Sequence, residues 1–209
     1  YPYFHLKRLL ANGQTDPTFS PVIGGSVASS YLGGSYAGKI NVQTDGKFLV
    51  AGETYFSPYH YATLARFNMD GTLDTTFSPG GSVSTSGSAA FDFVTPEGGS
   101  NIFWPTVIPI PLDIKLDDNN NIFICGNVMR SHPTEGNVVN TGYISKVTNE
   151  GLLDNSFSDN GLLLVRIHEQ LDPNSGNSDF NTTVEQIEVL EDGKILAIGE
   201  FSENFMQIP

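Results

Sequence analysis

What most constrains this chain is that it repeats itself. One phrase occurs three times, at residues 9–19, 67–77 and 147–157. In each, a glycine (Gly13, Gly71, Gly151) is followed three residues later by Asp16, Asp74 or Asp154 and six later by Phe19, Phe77 or Phe157. A second phrase alternates with it at residues 45–52, 119–126 and 192–199, and ends each time on a glycine: Gly52, Gly126 and Gly199. These glycines are spaced 74 and then 73 residues apart, so length varies elsewhere in the repeat. A chain of this kind stacks like units whose apolar faces bury one another.

The second phrase has the signature of a hairpin. Asp45-Gly46, Asp192-Gly193 and the run Asn119, Asn120, Asn121 suit a two-residue type I′ connection, which needs positive φ at both central positions. The hairpins are then residues 39–44 returning as 47–53, 112–117 returning as 121–128, and 184–190 returning as 194–200. Their returning arms are almost continuously apolar, as in Phe48, Leu49, Val50 and Ala51 and in Ile195, Leu196, Ala197 and Ile198, which predicts burial on both faces. Further strands are expected at 61–68 and 142–148, leading into the first phrase, and at 81–85 and 161–167, leading out of it. Asp16, Asp74 and Asp154 are read as turn carboxylates that accept local backbone N–H groups, and Phe19, Phe77 and Phe157 as plugs between units. Cation binding by three equivalent Asp is the competing reading. It is disfavoured because hard cations want clustered oxygens, and no loop has the alternating acidic spacing of a calcium site.

The hairpin phrase and the strand-turn phrase together resemble the delta-60 repeat family of bacterial and phage β-propeller-like repeats. Residues 43–81 carry the likeness best, through Asp45, Gly46, Lys47, Ala51, Gly52, Leu64, Ala65, Arg66, Phe67, Asn68, Asp70, Gly71, Leu73, Asp74, Thr75, Phe77 and Gly81. The third phrase has Ser145 and Lys146 where Ala65 and Arg66 stand, so those positions are read as not essential to the fold. The resemblance implies one propeller blade per repeat and brings no catalytic residue. The expected fold is an all-β, β-propeller-type repeat array over a single domain, 1–209, with units at about 4–54, 61–128 and 142–201. That makes about three four-stranded blade equivalents, the first split between the two ends of the sequence. Propellers typically have four to eight blades, so completion by a larger parent chain or by further copies is expected.

Composition fits this reading and narrows the partners. Lys plus Arg number 10 against 23 Asp plus Glu, a net charge of −13 that makes nucleic acid and anionic membrane surfaces poor partners. Gly (22) and Pro (12) are abundant enough to favour short strands and tight turns over helices. The lone Cys125 excludes an internal disulfide and a Cys-based zinc site, and its apolar surroundings predict burial. No run of 18 apolar residues is present, so no membrane insertion is expected. The sequence opens Tyr1-Pro2-Tyr3, which is read as a processed product or a piece of a longer polypeptide.

Function is sought where the chain departs from the repeat, in three insertions at 54–61, 86–111 and 168–183. The first is read as an aromatic loop of Tyr55, Phe56, Tyr59 and Tyr61, suited to stacking on a sugar or contacting a protein. The second ends near Trp104, a candidate interface anchor, and its prolines confine it to a sheet edge. The third is polar and holds a glycosylation-type triplet, Asn181-Thr182-Thr183. His5, His60, His132 and His168 do not stand at metal-ligand spacing, no nucleophile elbow is present, and no cofactor is called for. The expectation is a non-catalytic scaffold or adhesion module contacting protein or surface glycan, outside the cytoplasm, on a bacterial surface or in a phage virion. A carbohydrate-active enzyme and a purely structural assembly component are the alternatives.

Overall fold

A computed structural model describes residues 5–19, 26–28, 35–56, 59–77, 88–91, 108–131, 138–158, 160–165 and 180–203. These residues form antiparallel β-structure and no helix. The first pair is β1 (His5–Lys7) with β2 (Ser26–Ala28). A four-stranded meander follows, β3 (Ser35–Val42), β4 (Phe48–Phe56), β5 (Tyr59–Phe67) and β6 (Ser88–Phe91), paired in that order. A second meander repeats it with β7 (Ile108–Leu116), β8 (Ile122–Ser131), β9 (Val138–Val147) and β10 (Leu162–Val165). Two short pairs complete the set: β12 (Gln186–Val189) with β13 (Ile195–Ile198), and β11 (Phe180–Thr182) with β14 (Phe201–Glu203).

Register fixes which strands correspond. Val42 faces Phe48, Leu116 faces Ile122 and Val189 faces Ile195, so β12 and β13 are the first and second strands of a further unit. Leu9 bridges Thr15 as Phe67 bridges Leu73 and Val147 bridges Leu153, so β1 and β2 are the third and fourth strands of another.

The turns differ from the two-residue type I′ expectation. The N–H of Gly46 donates to Gln43 and that of Gln43 to Lys47, which encloses three residues with only Gly46 at positive φ (85°). This is the three-residue hairpin whose last member is left-handed. The other five turns, ending at Gly13, Gly71, Asn120, Gly151 and Gly193, make the same pair of bonds. A carboxylate or amide side chain closes most of them: Asp45, Asp70 and Asp192 accept the N–H two residues on, as does Asn12, and Asp117 does so from the turn's first position.

The terminal glycine of each hairpin phrase has a different cause. Both long first strands shift register opposite it, between Ala37 and Lys39 and between Pro111 and Asp113. The opposing backbone then comes so close that a Cβ on Gly126 would stand 1.9 Å from the Ile110 carbonyl oxygen, and one on Gly199 1.9 Å from that of Thr183. No side chain fits there.

Apolar residues alternate between two buried faces along the second strands. Leu49 and Ala51 face the second sheet, in one cluster with Ile114, Ile122, Ile124, Tyr143 and Val147. Phe48 and Val50 face the other way, with Phe19, Ala65 and Phe67. In the second sheet Ile122 and Ile124 take the first of these clusters, while Phe123 and Cys125 join Ile144, Val184 and Ile187 in a third. The units are therefore layered face on face, which explains arms with no polar alternation. Burial pushes the Cys125 thiol up to about 12, so it is inert packing at neutral pH.

The strand ranges revise the insertions. Residues 54–56 and 59–61 are strand and not loop: they end β4 and begin β5, pairing Tyr55 with His60 and Phe56 with Tyr59. Segment 86–111 contains β6 and the start of β7, and segment 168–183 contains β11. Pro109 and Pro111 sit on β7, the edge of its sheet, the kind of strand to which proline is confined. The strand expected at 81–85 lies outside the described residues; the fourth strand described is Ser88–Phe91.

Candidate functional site

Two ends of the layered sheets can be told apart from the strand directions, and they are built from different residues. One end carries all six three-residue turns together with the three Asp-x-x-Phe turns. At the other lie the tip of the β4–β5 hairpin, the tip of β8–β9, and the strand ends that flank residues 29–34, 92–107 and 166–179.

At the first end, each Asp is the centre of a brace. The N–H of Asp74 donates to Arg66 and that of Phe77 to Asp74, forming the turn; Asp16 and Asp154 do the same with Arg8 and Phe19, and with Lys146 and Phe157. One oxygen of Asp74 takes both the N–H and the hydroxyl of Thr76, at 3.1 and 2.6 Å. The other takes Arg66 Nε and Lys47 Nζ, each at 2.8 Å. Asp16 holds Thr18 and Arg8, and Asp154 holds Ser156 and Lys146, in the same way.

The charges shift accordingly. Burial works to raise Asp74, yet Lys47, Thr76 and Arg66 outweigh it and hold the carboxyl far below its usual range. The Lys146 ammonium, followed by Ser156, lowers Asp154 to about 2, and Thr18 and Arg8 lower Asp16. All three are carboxylates at neutral pH, committed to cations of the chain itself. Among the described residues no group of three or more His, Cys, Asp or Glu could hold a metal ion.

The braces also join one unit to the next. Arg66 stacks over Phe77 at 4.6 Å and reaches across 83 residues to the Asn149 carbonyl at 2.7 Å. Arg8 stacks over Phe19 at 4.9 Å and donates to the Met69 carbonyl, the corresponding position of the neighbouring turn. Phe19 in turn packs where a Cβ on Gly71 would stand, 2.9 Å from its ring. Phe77 is fully buried between the two sheets, whereas Phe157 meets Phe123 edge-on at 6.0 Å.

Sequence reading missed the cations and hydroxyls of this arrangement. Their signal was present: Arg8, Arg66 and Lys146 each precede their Asp by eight residues, and Thr18, Thr76 and Ser156 follow by two. Positions 66 and 146, read as not essential to the fold, hold the same ion pair: Lys146 meets Asp154 at 2.8 Å as Arg66 meets Asp74. Ser145, in place of Ala65, is buried with its hydroxyl unpartnered among the described residues.

The second end holds the predicted binding residues of the first insertion. Tyr55, Phe56, Tyr59 and Tyr61 lie where β4 and β5 extend beyond both neighbours, since β3 pairing ends at Thr54 and β6 pairing at Ala62. Trp104, His132 and His168 lie outside the described residues. The equivalent projection of the second sheet pairs Arg130 with Val139 and Ser131 with Val138, with no aromatic residue among them. The same place in the repeat thus carries different chemistry in each unit. Near this end Asn181 accepts the Asn140 N–H at 2.8 Å, and Thr182 links Gly142 to the Val165 carbonyl, so this triplet lashes β11 to the second sheet.

No curated protein matches the chain. A family model described as "Domain of unknown function (DUF5122) beta-propeller" matches residues 43–77, the stretch that runs from the first hairpin turn through β4 and β5 to the brace of Asp74 and Phe77.

Proposed function

We propose that the chain is a β-propeller-type repeat array of the delta-60 kind, each four-stranded sheet a blade, acting as a non-catalytic scaffold or adhesion module. In this reading the constant end holds the blades together and the variable end contacts a protein or a surface glycan, outside the cytoplasm on a bacterial surface or virion. The observation that carries it is the segregation of the two ends. The recurring carboxylates are consumed by internal cations at one end, while chemistry differs from unit to unit at the other. Aromatic residues at a projecting hairpin suit sugar or protein faces, which gain from apolar area with a polar rim. The test is a glycan array with the intact chain and with Tyr59→Ala and Trp104→Ala. Binding that falls at least tenfold in either variant is the predicted result. Unchanged binding, or turnover of a bound glycan abolished by one Asp or Glu substitution, contradicts it.

A further inference from the structure

Two strand edges and five exposed apolar side chains in this molecule fit one another. β13 corresponds to β4 and β8, which are paired on both sides, yet among the described residues β13 pairs only with β12. β1 corresponds to β5 and β9, also paired on both sides, and pairs only with β2. Second-strand and third-strand edges are the two that meet inside each complete sheet.

Exposure follows the same division. Leu196 and Ile198 are 60% and 66% exposed, whereas their counterparts Leu49 and Ala51 are fully buried against the next sheet. Ile40 and Val42 on β3 are 56% and 63% exposed, whereas Ile114, the counterpart of Ile40, is covered by that Leu49 and Ala51 surface. Leu9, at 56%, corresponds to Phe67, which stacks on Phe48 at 5.3 Å. Charge agrees as well. Lys47 braces Asp74 across the second and third strands, but its counterpart Lys194 is 77% exposed and turned onto its own Asp192, and Asp16 has Arg8 without a lysine.

We propose that β13 of one copy pairs with β1 of a second copy, completing a four-stranded sheet β12–β13–β1–β2 shared between them. The register follows that of β4 with β5: Ile195 opposite Leu9, Leu196 opposite Arg8, Ala197 opposite Lys7 and Ile198 opposite Leu6. Lys194 then reaches Asp16 of the other copy. In the same docking Leu196 and Ile198 cover Ile40 and Val42 of that copy, as Leu49 and Ala51 cover Ile114. The contact is head-to-tail, and closes into a ring when each copy offers both edges. This deepens the propeller reading above and rests on it.

The experiment is the double variant Leu9→Cys/Ile195→Cys, oxidised and weighed under denaturing conditions, with Cys125 buried and out of reach. The expected product is a covalent species of twice the 22.6 kDa chain. An internally bridged monomer would overturn the pairing in favour of closure within one chain, and free thiols in a folded protein would overturn it outright. Ile198→Asp serves as the second arm, expected to dissociate the pair at least tenfold while the β-sheet circular dichroism persists. Failure here with glycan or protein binding intact removes the ring and leaves the two-ended scaffold standing.

Discussion

At the scale of single residues, the chain's carboxylates are explained by what they hold. Asp74 joins a backbone turn, a hydroxyl and two cations, with only 5% of its side chain exposed. Removing one partner of such a buried set leaves charge uncompensated, so Asp74→Asn is expected to cost about 3 kcal/mol in denaturant unfolding at neutral pH. The pH dependence has a definite sign. A carboxyl depressed by folding stabilises above its ordinary value, and loses that contribution as pH falls toward the depressed one. Asp154 goes from 3.8 to about 2, and Asp16 and Asp74 shift the same way, so the chain loses stability below about pH 4 and continues to do so through about pH 2. Asp74→Asn flattens that slope; an identical slope in the variant contradicts the brace. The Asp and Phe positions were legible because three copies align on them. The cations were not read, since Arg and Lys differ in letter while sharing the charge that the brace uses.

At the scale of elements, the turns show how a correct position can carry the wrong geometry. Asp-Gly and Asn-Asn runs locate a reversal, but two-residue and three-residue hairpins draw on the same residue types. The added residue decides the case: Gln43 bonds to Lys47 and not to Gly46 alone, which leaves a single left-handed position. Asn120, at φ 59°, is the one non-glycine among the six such positions. Asn120→Gly is therefore expected to raise stability by roughly 0.5–1 kcal/mol in thermal or denaturant unfolding, without changing the hairpin. A loss of stability would mean that the Asn120 side chain does more than tolerate the turn. Strand bounds were less legible, because the aromatic run at 54–61 reads as an interruption while the ladder that starts at Phe48–Phe67 extends into it as far as Phe56–Tyr59.

At the scale of the whole molecule, layering explains both what is buried and what is not. Continuous apolar arms predicted two covered faces, and β4 and β8 have them. The arm of β13 has the same sequence character and is largely exposed. Fully burying a side chain such as Leu or Ile contributes about 1.5–3 kcal/mol, and Leu9, Ile40, Val42, Leu196 and Ile198 are each more than half exposed, so covering them adds a stabilisation on the order of 5 kcal/mol. Sequence located the repeated phrases but did not reveal that β13 and β1, each paired on one side only among the described residues, carry matching register and opposite charge. Lys194 and Asp16 stand at the repeat positions of Lys47 and Asp74, which form an ion pair. The most direct measurement of the account is the native mass of the unaltered 209-residue chain at micromolar concentration. Twice 22.6 kDa is predicted, and a stable species of 22.6 kDa alone would contradict the pairing of β13 with β1 between copies.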